Sequence, residues 1–136
     1  MATAERVERE LGPTEVVFGH NDLLPSNLID DGERLWLIDW DYAGFSTPLF
    51  DLANLATNAE LGPDDERTLL RLYFGAEPDA PLARRFAGMR CVSLLRETMW
   101  SMVAEVHSTL DIDFPAYTAR QLARFEEALA LLEKTA

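Results

Sequence analysis

VVFGHNDLLPSNLIDDGERLWLIDWDYAG, residues 16–44, is the stretch on which the reading of the chain turns. An apolar, β-branched run at Val16-Val17-Phe18 predicts a strand, and it leads into a loop carrying His20, Asp22 and Asn27. A short strand then meets an Asp-Asp-Gly-Glu turn and a second strand ending at Ile38-Asp39-Trp40-Asp41. Paired as a hairpin, the two strands bring Asn27 close to Asp39. An amide and a carboxylate so placed offer the oxygen ligands that a hard cation such as Mg²⁺ prefers. Magnesium keeps waters and takes few carboxylates, which leaves Asp22 free to act as a base. Phosphoryl transfer needs such a set: a cation against phosphate charge and a carboxylate for the proton of the attacking hydroxyl. Taken singly, Asp22 and Asn27 also read as turn formers, and His20 is a base by residue type.

Working outward, Val7 and Leu11 predict a short helix over 4–11, ended by Gly12-Pro13. Gly44 to Pro48 reads as a turn. A helix is expected from Leu49 to Ala59, with Leu52, Leu55 and Ala56 as its apolar stripe. Asp64-Asp65-Glu66 supplies the acidic first turn of the next helix, running to Phe74. After a loop at 75–81, a long helix is expected over 82–108, with apolar residues recurring at Phe86, Met89, Val92, Leu95, Met99, Met102, Val103 and Val106. A last helix over 115–134 carries Leu122, Phe125, Leu129 and Leu132 on one side. The fold class is therefore α+β, mostly α: a small hairpin and four helices, expected to form a single domain over 1–136.

With 136 residues and 48% hydrophobic content, the chain can bury one core. Its formal charge of −12 argues against nucleic acid or an anionic membrane surface as partners. One cysteine, Cys91, excludes an internal disulfide. No stretch approaches a membrane span and the first residues lack an apolar leader core, so the expected location is cytoplasmic.

The spacing His20-x-Asp22-x-x-x-x-Asn27, with Asp39 beyond it, resembles the catalytic segment of protein-kinase-like enzymes. His20-Asn21-Asp22-Leu23 followed by Ile38-Asp39-Trp40-Asp41-Tyr42-Ala43-Gly44 is similar to the choline/ethanolamine kinase branch of the aminoglycoside-phosphotransferase-like families. The resemblance implies the C-terminal lobe of a kinase-like fold. It also implies ATP as co-substrate, Mg²⁺, and transfer to the hydroxyl of a cationic amino alcohol, choline first and ethanolamine next. Asp22 would be the catalytic base, Asn27 and Asp39 the metal ligands, and His20 and Asp51 structural supports. Asp41 would bind a second metal or orient Asp39. Asp51 read without the family is a helix cap.

Arg96-Glu97-Thr98-Met99-Trp100 and Asp113-Phe114-Pro115-Ala116-Tyr117 resemble the segments in which choline kinases box a quaternary ammonium with aromatic rings. Trp100 and Tyr117 fall on box positions, although both also read as core aromatics. Glu97, one turn before Trp100, stands where some members carry a second tryptophan, and Asn58 stands where some carry an acidic residue. Both are counted as substrate-binding.

No Gly-rich loop is present and the sole lysine is Lys134, so the resemblance covers the C-terminal lobe alone. A face left open by an absent N-terminal lobe predicts self-association. Two alternatives stay open: a stand-alone lobe that binds a cationic ligand or partner without catalysis, and a related aminoglycoside or thiamine kinase.

Overall fold

Among the described residues, pairing of four three-residue strands sets the front of the molecule, and four helices form the body behind it. A computed structural model describes residue 5 and residues 15–134; the helix expected over 4–11 lies outside these apart from Glu5. Strand β1 (Val17–Gly19) runs antiparallel to β4 (Gly44–Ser46), with Phe18 opposite Phe45 and Gly19 opposite Gly44. Strand β2 (Leu28–Asp30) pairs with β3 (Leu35–Leu37), with Leu28 opposite Leu37. The expected hairpin is thus present, but two sequence expectations are corrected. The segment read as a turn, Gly44 onward, is the partner of β1. Strand β3 ends at Leu37 and does not run on through Asp41, because Asp39 adopts a left-handed backbone, φ 63°, which takes the chain off the ladder.

The turn between β2 and β3 is held by its own acids. One Asp31 oxygen accepts from the backbone N–H groups of Glu33 and Arg34, each at 2.9 Å, and the other accepts from the Trp36 indole at 2.6 Å. These bonds favour the anion and hold the Asp31 carboxyl below its ordinary range, the Trp36 bond contributing most. Gly32 supplies the positive φ, 86°, that the turn requires.

Helix α1 (Pro48–Asn58) starts on a proline, as first turns allow. Its Leu49, Leu52, Ala53 and Ala56 pack with Leu70 of α2 (Pro63–Phe74) and with Phe86 and Met89 of α3 (Ala80–His107). Helix α2 ends at Gly75, φ 72°. Helix α3 begins two residues earlier than expected because the Asp79 side chain caps it, accepting from Leu82 N–H at 2.8 Å, while Pro81 fits the first turn.

Helix α4 (Phe114–Lys134) packs along α3, where Cys91, Leu94, Ala128 and Leu132 form a second cluster. Burial raises the Cys91 thiol to about 11. The apolar stripe expected on the later half of α3 is corrected here. Leu95, Met99, Met102, Val103 and Val106 are exposed, and the buried positions are Thr98, Ser101 and Ala104. Small polar side chains let the helices approach closely, and they satisfy one another. Thr118 donates to Ser101 at 2.9 Å and Ser101 donates to the Thr98 carbonyl at 2.8 Å. On α4, Leu122 is also exposed while Thr118 and Gln121 are buried. No helix among the described residues is long and apolar enough to cross a membrane.

Candidate active site

The loop after β1 is fixed before any ligand enters it. Asp51, in the first turn of α1, accepts from the backbone N–H of His20 at 2.8 Å and of Asn21 at 2.7 Å. Its carboxylate is therefore spent on the loop and does not cap its own helix. Gly19 makes this approach feasible, since a Cβ there would lie 2.8 Å from an Asp51 oxygen. Asn21 takes a left-handed backbone, φ 63°, and its side-chain amide donates to the carbonyls of Tyr42 at 3.1 Å and Gly44 at 3.3 Å. Asparagine tolerates that conformation better than most residues.

His20 is buried, and both ring nitrogens are committed to backbone. Nδ1 accepts from Asp22 N–H at 3.3 Å, which assigns the proton to Nε2, and Nε2 donates to the Ile38 carbonyl at 2.9 Å. Trp40 packs edge-on against the ring at 4.9 Å. His20 thus joins the loop to the end of β3 and has no nitrogen left over for a substrate.

Two amides hold the far side of the loop. Asn27, buried in a short 3₁₀ turn (Pro25–Asn27), donates to the Asp22 carbonyl at 3.1 Å. Asn58, at the end of α1, donates to the Leu23 carbonyl at 3.2 Å.

Asp22 opens onto a cavity of about 320 Å³ lined also by Tyr42, Arg96, Glu97, Trp100, Phe114 and Tyr117. This is the size range of small-ligand sites. Residues separated by more than ninety positions in sequence meet because α3 and α4 lean together beneath the loop. Trp100 meets the Phe114 ring edge-on at 6.1 Å, and the Tyr117 hydroxyl donates to Glu97 at 2.7 Å. Burial first, and then the Glu97 bond and charge, push the Tyr117 phenol up to about 12. Four expected site residues, Asp22, Glu97, Trp100 and Tyr117, therefore share one cavity. Asn58 is not among its lining residues and stands against the loop backbone.

Asp39 and Asp41 are both exposed and are not among the lining residues of this cavity. The Ile38 N–H donates to the Asn27 carbonyl at 3.0 Å, so Asp39 directly follows the residue bonded to Asn27. Because the Asn27 NH₂ is turned to the Asp22 carbonyl, its amide oxygen is the end left for a cation. An amide oxygen and a carboxylate fit magnesium, which fills its remaining positions with water and phosphate oxygens. Among the described residues no group of three or more His, Cys, Asp or Glu side chains is placed to hold a metal ion.

Arg96 is the site residue that the sequence reading missed. Its guanidinium donates to the Asn21 carbonyl and pairs with Asp22 at 3.4 Å. The one available signal was an arginine one helical turn before Trp100, at i, i+4, in a stretch, 91–104, whose only other charged residue is Glu97.

Comparison with known proteins agrees with this geometry. The family model for choline/ethanolamine kinase matches residues 3–74. The protein LicA of Haemophilus influenzae is 31% identical over 121 residues, covering 85% of this chain and 43% of that protein. A choline/ethanolamine kinase family protein from Mesorhizobium loti superposes with a TM-score of 0.86 at 29% identity, over 94% of this chain and 44% of that one. LicA in complex with AMP superposes at 0.74 with 26% identity, over 96% of this chain and 45% of that one. The chain thus spans less than half the length of these relatives. Its helices and strands form part of a protein-kinase-like fold, and the chain belongs to the choline/ethanolamine kinase family.

Proposed function

We propose that this chain carries the acceptor-binding and base-bearing part of a kinase that transfers the γ-phosphoryl group of ATP to the hydroxyl of a small amino alcohol, choline first and ethanolamine next. The observation that carries the reading is one cavity lined at once by Asp22, Glu97, Trp100 and Tyr117. Asp22 accepts the hydroxyl proton as the oxygen attacks phosphorus, and ADP leaves. Arg96 pairs with Asp22, so Glu97 is the carboxylate left for the ammonium, and the Trp100 ring supplies a cation–π face. Asn27 and Asp39 would hold Mg²⁺, with Asp41 beside them. When bound, the ion neutralises phosphate charge. His20, Asp51 and Asn58 keep the loop in place. Family membership and the LicA structure with AMP support the nucleotide as co-substrate. The reading extends to a cytoplasmic location and to self-association of the isolated chain through the strand face.

The test is ADP release by the complete gene product with choline, ethanolamine and an aminoglycoside. Turnover with either amino alcohol, abolished by Asp22→Asn, supports the reading. Turnover with the aminoglycoside alone would sink the acceptor assignment and leave the reaction class. The cavity also favours a second reading, a cation binder without transfer. Calorimetry would then record choline binding and no Mg–nucleotide binding.

A further inference from the structure

The contacts around Arg96 go beyond an ordinary ion pair. Its guanidinium donates through one nitrogen to the Asn21 carbonyl and through the other pairs with Asp22 Oδ1 at 3.4 Å. The same group lies 5.3 Å from the centre of the Tyr42 ring and 5.7 Å from that of Phe50. Four elements meet on this one group: the loop, the β3–β4 turn, helix α1 and helix α3. An exposed arginine with a single carboxylate partner would sample many rotamers. Here two rings hold the guanidinium and the carbonyl bond fixes its direction, so the contact to Asp22 is a consequence of a side chain already held.

The location matters for chemistry. Asp22 follows a residue with a left-handed backbone, and the Asp51, His20 and Asn27 contacts to this loop all reach backbone or ring atoms, not the Asp22 carboxylate. Arg96 is the group that addresses the carboxylate itself. Arg96 engages Oδ1, and Oδ2 has no hydrogen-bond partner among the described residues.

We propose that Arg96 is a positioning residue that fixes the Asp22 carboxylate from the floor of the acceptor cavity, so that one oxygen is presented to the acceptor hydroxyl. This rests on the phosphotransfer reading above for its kinetic consequence, but not for the brace itself. The planar fork is needed because it serves a carbonyl and a carboxylate together, which an ammonium on a flexible stem does poorly.

The experiment compares the complete gene product with its Arg96→Met and Arg96→Lys variants. With an amino alcohol as acceptor, kcat should fall about a hundredfold in Arg96→Met, the scale of a small misplacement of a reacting group. It should fall about tenfold in Arg96→Lys. KM for the acceptor should stay within about threefold in both, because Glu97 and Trp100 are untouched. Kcat within about threefold of the parent in Arg96→Met, or a rise in KM alone, overturns the proposal. So does loss of folding in both variants, which would make the role structural.

Hydrogen exchange of the same proteins is read in parallel. If the parent turns over no amino alcohol, the acceptor assignment fails separately. In that case faster exchange confined to residues 19–24 in Arg96→Met supports the brace, and unchanged exchange there overturns it.

Discussion

Glu97 stands one helical turn before Trp100, where an aromatic ring would offer only a face, and it offers the acceptor cavity a charge. Its partner is Tyr117, whose phenol is pushed up to about 12 by burial and then by the Glu97 carboxylate. The sign follows from linkage: the folded chain holds a proton that the unfolded chain releases near the ordinary tyrosine value. Stability is therefore lost as pH rises from about 10 toward 12. Glu97→Gln removes the charge and leaves the burial. Tyrosinate absorbance, with Tyr117→Phe as the blank, should show the midpoint falling part of the way back toward 10. A midpoint that does not move would mean that Glu97 does not face the phenol in solution. At this scale the sequence motifs singled out Asp22 and Trp100, and the structure brings both to one cavity. Arg96 was hidden because its partners, Asn21 and Asp22, are 75 and 74 positions away and periodicity carries no information at that separation.

Helix α1 acts as the shelf on which the loop rests, and its first turn makes the contact through a single carboxylate, Asp51. Asp51→Asn keeps size but places an NH₂ against one of two backbone donors, so one of the His20 and Asn21 bonds is lost. Losing a charge-assisted bond of this kind costs about 2 kcal/mol. Thermal unfolding should report that loss, with activity falling further than stability because the loop carries Asp22. Gly19→Ala should act through the same contact, since its Cβ would displace the Asp51 oxygen 2.8 Å away. A double variant no worse than Asp51→Asn alone would establish the shared route. At the element scale the four helices followed from turns of acid, proline and glycine. The β1–β4 pair did not, because three residues beginning with Gly44 carry no alternation long enough to separate a strand from a turn. The later half of α3 misled for a physical reason: its large apolar residues face outward, and the packing face is built from Thr98, Ser101 and Ala104.

At the scale of the whole molecule, exposed apolar side chains among the described residues occur both on the outer face of α3 and on the strands. Phe18 and Phe45 face each other across β1 and β4 with rings 5.8 Å apart, and they are 62% and 81% exposed. Ile29 and Trp36, opposite each other in the second sheet, are also exposed. Monomeric proteins seldom leave such side chains together in water. In a purified solution of this chain the one apolar surface at hand is another copy, so the chain should self-associate as its concentration rises. The formal charge of −12 opposes that contact. Each copy repels the next over a distance set by ionic strength, which shrinks to about 8 Å at physiological salt. The two effects have opposite salt dependence, so association should tighten as salt is added. An association built from ion pairs would loosen. Sedimentation across a range of concentration and salt separates these outcomes. Phe18→Ser with Phe45→Ser should return the chain to a monomer while its helical circular dichroism is retained. A profile that stays monomeric at every concentration, or that dissociates with salt, would assign the strand face no role in assembly.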